Sequence, residues 1–217
     1  MRQAVIVTGG TTDLKFALSY IQEQKPDILG AVDSGMEFFL EAGEKPDVII
    51  GDFDSVGQDT LAFFKGQPGI DWVTLVPEKD DTDTEAAIRE MIRRGCTKIH
   101  ILGATGSRLD HVLGNIELLG IGLSEGIEIL MADPFNRIRL IDKGITIKRE
   151  EQFGDYVSLL PFTPKVVGLT LKGMKYPLFN YEYACYSSLG ISNEILEDVG
   201  EISFSEGVLL VIESRDR

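Results

Sequence analysis

The sequence is poor in the residues that mark several large protein classes. Of 217 residues only 2 are cysteines, Cys96 and Cys185, and they lack Cys-x-x-Cys spacing, so neither a disulfide framework nor a zinc site is predicted. Lys and Arg number 21 against 35 Asp and Glu, which gives a formal charge of −14. This charge argues against a nucleic-acid partner, because binding to the phosphate backbone requires a basic face.

Long apolar runs are also missing. The first run, at residues 4–7, is far too short for a signal peptide or a membrane span, so we expect a cytoplasmic protein without a membrane partner. The hydrophobic content of 43% in 217 residues is nevertheless enough for one large domain or two modest ones.

Strand and helix patterns alternate through the first 134 residues. Strands are predicted at 4–7, 28–32, 48–50, 72–76, 98–102 and 127–131, with helices beginning near 13, 36, 58, 83 and 112. This alternation is typical of a mostly parallel sheet. The sequence therefore predicts an α/β, Rossmann-like domain over residues 1–134.

The pattern changes after Pro134. Short β-type runs at 138–141, 145–148, 156–160, 166–171 and 208–212 are separated by Gly, Pro and Asp turns, without a convincing long helix. These runs predict an all-β domain, a sandwich, over residues 135–217. Glu206-Gly207, between apolar runs at 202–204 and 208–210, predicts a terminal β-hairpin.

The first acidic segment is Gly-Asp-Phe-Asp-Ser at 51–55. It follows an apolar, β-branched run, so Asp52 and Asp54 emerge at the carboxyl end of a strand, where open α/β sheets bind ligands. Carboxylates there suit Mg²⁺, which is commonly held by one or two protein carboxylates together with substrate phosphates. Asp and Ser are also frequent in turns, so this segment alone leaves a purely structural role open.

The second acidic segment opens a predicted helix. Thr82, with Glu85 three residues later, predicts a capping box. Capping needs only one or two acidic groups, whereas Asp80, Asp81, Asp83 and Glu85 crowd several charges into one turn. Such charges repel each other unless a cation or solvent screens them.

The loop after the strand at 98–102 suits an anion. Its small residues let backbone N–H groups approach a phosphate, Arg108 can bind phosphate oxygens, and Asp110 opens the next helix. A turn with Asp110 as N-cap accounts for the same residues. Asp33 is a further carboxylate at a strand end, and parallel strands direct all these ends to one edge of the sheet.

In order and spacing, these segments resemble the signatures of the bacterial thiamine pyrophosphokinases. The matching motifs are Val-Asp-Ser-Gly at 32–35, Gly-Asp-Phe-Asp-Ser at 51–55, Lys-Asp-Asp-Thr-Asp at 79–83 and Gly-Ser-Arg-Leu-Asp-His at 106–111. The similarity continues through 168–178 and 188–194, so it covers both predicted domains.

The resemblance implies an enzyme that transfers the terminal diphosphate of ATP to the hydroxyethyl group of thiamine, giving thiamine diphosphate and AMP. It also implies a homodimer, with an α/β N-terminal domain, a C-terminal β-sandwich and the active site at the subunit interface. By matching position, it implies Mg²⁺ ligands at Asp52, Asp54 and Asp83, an ATP site with Asp33, Thr82, Arg108 and Asp110, and a thiamine pocket with Ser192 and Asn193.

Two other functions fit parts of the sequence. Asp52-x-Asp54-x-Val56 after an apolar strand resembles the nucleophile pattern of enzymes that form an aspartyl-phosphate, so a phosphatase or phosphotransferase is one alternative. A non-catalytic module that senses a nucleotide or thiamine is another. Binding alone would not need so many candidate metal ligands, and this favours the enzyme.

Overall fold

The computed structural model describes residues 1–76 and 81–216. The chain divides into two compact units, Met1–Pro134 and Phe135–Arg217. Lys79 and Asp80, which belong to the second acidic segment, lie outside the described residues. Among the residues that are described, no helix is long and apolar enough to span a membrane.

The first unit alternates strands and helices. Its elements are β1 (Gln3–Val7), α1 (Leu14–Gln24), β2 (Ile28–Val32), α2 (Met36–Ala42), β3 (Val48–Gly51), α3 (Gln58–Lys65), β4 (Asp71–Thr74), α4 (Asp83–Arg93), β5 (Lys98–Leu102), α5 (Leu109–Leu118), α6 (Gly120–Glu125) and β6 (Glu128–Ala132). The strand order is β4-β3-β2-β1-β5-β6, and the pairings between these strands are parallel. The predicted Rossmann-like sheet is confirmed.

Burial explains why the strands appear as continuous apolar runs. β3 is buried along its whole length, as expected for a parallel strand covered on both faces. Helices α1, α2 and α3 pack on one face of the sheet through a cluster that includes Tyr20, Phe39 and Phe64 together with Val5 and Ile49 of the strands. Helix α4 contacts β2 and β3 and buries Ala87, Ile88 and Met91.

The strand order determines where a ligand can bind. From β1 the chain adds β2, β3 and β4 on one side, and it then returns to add β5 on the other side of β1. The connections from β1 and β5 therefore diverge, and the crevice between their carboxyl ends is the topological switch point, where doubly wound sheets bind ligands.

The second unit is antiparallel. Its strands are β7 (Asn136–Ile141), β8 (Ile145–Lys148), β9 (Tyr156–Pro161), β10 (Lys165–Lys172), β11 (Leu178–Ala184), β12 (Val199–Ser203) and β13 (Leu209–Ser214). One group has the order β7-β13-β9 and the other β11-β10-β12-β8. Both contribute to one buried core, which contains Val157 and Val211 from the first and Val166, Leu171 and Tyr183 from the second. The predicted all-β domain is confirmed.

The predicted terminal hairpin is wrong. β12 pairs with β10 and β8, whereas β13 pairs with β7 and β9, so Glu206-Gly207 connects the two sheets. Gly207, at a φ of 103°, lies in a bend, but Glu206 forms an antiparallel bridge with Val167 of β10, the strand that also pairs with β12. The sequence did not predict β11 or the start of β12, because β11 is largely exposed and Gly200 interrupts the β-type pattern of β12.

Candidate active site

A cavity of about 380 Å³ lies at the switch point of the first unit. Its walls are the loops after β1, β2 and β5, together with Ser55 in the loop after β3, the start of α4 and one side of α5. This volume is within the usual range for small-ligand sites. The fold therefore places a ligand-sized space where a doubly wound sheet is expected to have one.

The loops around this cavity approach one another closely. A Cβ atom at Gly10, in the loop after β1, would lie 2.1 Å from the carbonyl oxygen of Gly103, in the loop after β5. A Cβ atom at Gly35, after β2, would lie 2.0 Å from the carbonyl oxygen of Val7. Only glycine permits these backbone contacts, so the glycines bring the loops together around the ligand space.

Three carboxylates converge beside this cavity. One ligand oxygen from each of Asp33, Asp52 and Asp54 lies within 4.8 Å of the others. They come together because β2 and β3 are neighbouring parallel strands, so their carboxyl ends lie side by side. The charge of Asp52 is the main cause of a raised pKa at Asp54, with smaller contributions from burial and from Asp33. A cation would relieve this repulsion.

Asp33 has two features that single it out within the cluster. Its backbone adopts a φ of 47°, in the left-handed region that few residues other than glycine enter. Its Oδ2 accepts a hydrogen bond from the Ser55 hydroxyl, whereas its buried Oδ1 has no hydrogen-bond partner among the described residues. A buried carboxylate oxygen that lacks a donor, close to two further carboxylates, fits a hard divalent cation such as Mg²⁺.

Thr82 and Asp83 reach the cavity from the start of α4. The Thr82 hydroxyl oxygen accepts the backbone N–H of Glu85 at 3.2 Å, so the predicted N-cap is confirmed. Asp83 is not part of the three-carboxylate group, although its charge also raises the pKa of Asp54. Asp33, and not Asp83, therefore belongs to the group of carboxylates that includes Asp52 and Asp54.

Arg108 and Asp110 bind each other. The Nη2 atom of Arg108 lies 2.6 Å from Oδ2 of Asp110, and the two side chains are 67% and 65% exposed. The hydrogen bond from Arg108 lowers the pKa of Asp110 to about 2. Arg108 lines the cavity and occupies the N-cap position of α5. Asp110 is therefore not the N-cap; it lies in the first turn, where its carboxylate accepts the N–H of His111.

Several cavity residues were not assigned a role from the sequence. Ser34, Ser55 and Asn115 line the cavity. Asn115 donates from Nδ2 to the carbonyl oxygen of Ala104 at 3.0 Å and so fixes the loop after β5 from within α5. Ser34 and Ser55 are the sequence neighbours of Asp33 and Asp54, and this was the one feature of the sequence that could have indicated their place at the site.

In the second unit, the side-chain polar atoms of Asn193 are engaged with the backbone. Asn193 is 3% exposed, and its Oδ1 accepts the backbone N–H groups of Tyr176 and Glu194 at 3.0 and 2.9 Å. Its Nδ2 donates to the carbonyl oxygen of Tyr176 at 2.9 Å. Ser192 has a φ of 55°, and its backbone N–H donates to the Ser158 hydroxyl at 3.0 Å. Asn193 therefore fixes the course of the segment around Tyr176.

The first unit has the architecture of nucleotide-binding α/β proteins, because its cavity, its glycine-rich loops and its carboxylates meet at one switch point. The family model for the thiamin pyrophosphokinase catalytic domain matches residues 22–131, and the model for the thiamin pyrophosphokinase vitamin B1 binding domain matches residues 144–209. The chain belongs to the thiamine pyrophosphokinase family of enzymes.

Individual relatives agree with this assignment. The chain is 36% identical to the thiamine pyrophosphokinase of Bacillus subtilis (strain 168) over 217 residues, which cover all of both chains. A crystal structure of thiamine pyrophosphokinase from Bacillus subtilis superposes with a TM-score of 0.89, at 33% identity and full coverage of both chains. A structure from Geobacillus thermodenitrificans gives 0.84 at 33% identity, covering 99% of this chain and 98% of the other.

Proposed function

We propose that this protein transfers the terminal diphosphate of ATP to the hydroxyl of the thiamine hydroxyethyl group, giving thiamine diphosphate and AMP. The observation that carries the proposal is the carboxylate cluster of Asp33, Asp52 and Asp54 beside the cavity of about 380 Å³. The match to a vitamin B1 binding domain in the same chain supports thiamine as the acceptor.

The reaction requires stabilisation of negative charge. The hydroxyl oxygen of thiamine forms a bond to the β-phosphorus of ATP, and the bond from that phosphorus to the oxygen bridging to the α-phosphate breaks. The electron pair of that bond leaves with AMP, and the hydroxyl proton is released. Charge builds on the phosphoryl oxygens, so positioning and electrostatic stabilisation supply most of the catalysis, and a strong base is unnecessary.

Asp33, Asp52 and Asp54 are the residues that would hold Mg²⁺. When bound, the ion would neutralise phosphate charge and orient the diphosphate. Asp83 extends the acidic surface from the start of α4 and is proposed as an outer member of this site. The Thr82 hydroxyl, whose oxygen accepts the Glu85 N–H, still has its own proton to donate to a phosphate oxygen.

Arg108 is the candidate phosphate-binding side chain. Its guanidinium is exposed, lines the cavity and is held from one side by Asp110. A planar guanidinium can bind two phosphate oxygens at once, and a carboxylate behind it restricts its rotation. In this proposal Arg108 contacts ATP, and Asp110 acts through Arg108.

The second unit is proposed to contribute the thiamine pocket, with Ser192 and Asn193 shaping it through the segment around Tyr176. It is also proposed to form the interface of a homodimer, with the active site completed between subunits. Support comes from β11, the edge strand of its sheet, on which Phe179 is 87% and Tyr181 is 40% exposed. Exposed aromatic residues on an unpaired edge are typical of association surfaces. We also propose a cytoplasmic location, where ATP is available to the enzyme.

Product analysis tests the reaction. Purified protein is incubated with ATP, Mg²⁺ and thiamine, and thiamine diphosphate and AMP are quantified by chromatography, with EDTA and no-thiamine controls. Metal-dependent, equimolar formation of both products supports the proposal. Formation of ADP or free phosphate instead would contradict it, as would a trapped phosphate on Asp52 or ligand binding without turnover.

The dimer is tested separately by sedimentation. The parent protein should sediment as a dimer, and Phe179→Glu should shift it toward the monomer. A parent protein that remains monomeric at assay concentration would contradict a subunit-interface site.

A further inference from the structure

Ser55 ends the acidic segment after β3, and the transfer reaction above gives it no role. Its hydroxyl donates a hydrogen bond to Oδ2 of Asp33. Asp33 follows β2, so this bond joins the loops of two neighbouring parallel strands at the carboxylate cluster. Ser55 itself also lines the cavity.

The bond determines which oxygen of Asp33 remains available. The terminal torsion of an aspartate side chain is broad, so packing of the Cβ atom alone does not fix the carboxylate plane. The Ser55 hydroxyl engages Oδ2, and the other oxygen, Oδ1, is buried without a hydrogen-bond partner among the described residues. A carboxylate anchored at one oxygen presents the other in a defined direction.

The backbone contributes to the same arrangement. Asp33 adopts a φ of 47°, a left-handed conformation that is unfavourable for a residue other than glycine. A Cβ atom at Gly51, the last residue of β3, would lie 3.2 Å from the Cα atom of Asp33, so the end of β3 lies directly against Asp33. Both strand ends thus bring the Asp33 side chain toward Ser55 and the other two carboxylates.

We propose that Ser55 is a positioning residue, which holds Asp33 so that Oδ1 faces a divalent cation shared with Asp52 and Asp54. The inference rests on the proposed function for the identity of that cation. A direct contact between Ser55 and a phosphate is the competing role. A hydroxyl has a single proton, so while it donates to Asp33 it cannot also donate to a phosphate.

Metal binding without nucleotide separates the two roles. Mn²⁺ serves as a spectroscopic probe of the cation site, and free Mn²⁺ is titrated by electron paramagnetic resonance in the absence of ATP and thiamine. Ser55→Ala should bind Mn²⁺ roughly tenfold more weakly, because it loses a hydrogen bond to a charged group. Ser55→Thr, which keeps a hydroxyl, should restore most of the affinity.

Thr60→Val is the matched control. Thr60 donates its hydroxyl proton to Glu37 at 2.8 Å, so it also binds a carboxylate near the loop after β3, but that carboxylate lies outside the cluster. This variant should keep the Mn²⁺ affinity of the parent protein. Thermal unfolding without metal checks that each variant is folded. If Ser55→Ala does not fold, Ser55→Cys replaces it, and the same weakening of Mn²⁺ binding is expected.

The outcomes are distinguishable. Unchanged Mn²⁺ affinity in Ser55→Ala, with a raised KM for ATP, would overturn the proposal and make Ser55 a substrate contact. Failure of the parent protein to bind Mn²⁺ would also overturn it. A parent protein that binds Mn²⁺ but forms no thiamine diphosphate would refute the proposed reaction and leave the positioning role of Ser55 intact.

Discussion

The carboxylate cluster of the first unit and the Asn193 region of the second use polar side chains in opposite ways. At the cluster, like charges face one another and Oδ1 of Asp33 is left without a partner among the described residues. At Asn193, side-chain oxygen and nitrogen are both bonded to backbone groups. The repulsion in the carboxylate cluster destabilises the ligand-free protein and favours the binding of a cation. The hydrogen bonds of Asn193 stabilise the fold itself.

The largest expected effect is the loss of activity in Asp54→Asn. The substitution removes one charge from the proposed metal site, so kcat should fall by roughly 10²–10³-fold, the range found when one electrostatic contribution to a transition state is lost. The fold should remain intact and its thermal stability should be unchanged or higher, because repulsion from Asp52 is reduced. Steady-state kinetics and calorimetry measure the two effects.

Asp142→Asn is the control for that change, because Asp142 is exposed and lies in the turn between β7 and β8. Its kinetics should match those of the parent protein. Parental activity in Asp54→Asn would refute the metal role of this residue.

Asn193→Ala should mainly reduce stability, whereas Asp54→Asn should mainly reduce activity. It leaves the N–H groups of Tyr176 and Glu194 and the carbonyl oxygen of Tyr176 without their partner, so the free energy of unfolding should fall by about 2–4 kcal/mol. In the protein that remains folded, the KM for thiamine should rise more than the KM for ATP, because the segment around Tyr176 is displaced. Chemical denaturation and substrate titrations provide the measurements, and equal shifts in both KM values would count against a role at the thiamine pocket.

A smaller loss of stability is expected from Gly10→Ala. The new Cβ atom would lie 2.1 Å from the carbonyl oxygen of Gly103, so the loops must separate, at a cost of about 1–3 kcal/mol. Gly106→Ala is the matched change, because its Cβ atom would meet the Cα atom of Gly10 at an ordinary 3.5 Å. Thermal unfolding should distinguish the two variants, and equal melting temperatures would contradict the close packing of these loops.

The smallest effect concerns pH. The charge of Asp52 raises the pKa of Asp54, so a proton competes with a metal ion at a higher pH than it would at an isolated aspartate. Mn²⁺ affinity should therefore weaken as the pH falls toward this raised pKa and should level off above it. In the metal-free protein, protonation of Asp54 as the pH falls also removes its repulsion with Asp52. Metal titrations at several pH values test the sign, and tighter binding at lower pH would contradict it.

The sequence predicted the first unit more fully than the second. Buried parallel strands produce continuous apolar runs, so β1, β2, β3 and β5 were located almost to the residue. The Thr82 cap was predicted because an N-cap is a local feature of the chain. In the second unit, the strand partners of β12 and β13 depend on the packing of the sandwich, and no local signal specifies them.

The grouping of the candidate site residues was only partly predictable from the sequence. Parallel strand ends bring Asp33, Asp52 and Asp54 together, and the sequence indicated that they meet at one edge. It could not predict that Asp33 joins this group while Asp83 does not, because the distances between these side chains are set by the folded loops. Nor could it show that Asn193 is buried and hydrogen-bonded to the backbone, because burial and hydrogen bonding are properties of the folded unit.

The most direct test of the account follows the phosphorus atoms of ATP. ATP labelled at the α, β or γ position is incubated with the protein, Mg²⁺ and thiamine, and the products are separated. The account predicts that the α label appears in AMP and that the β and γ labels both appear in thiamine diphosphate. Transfer of the γ label alone, with the β label retained in ADP, would contradict diphosphate transfer.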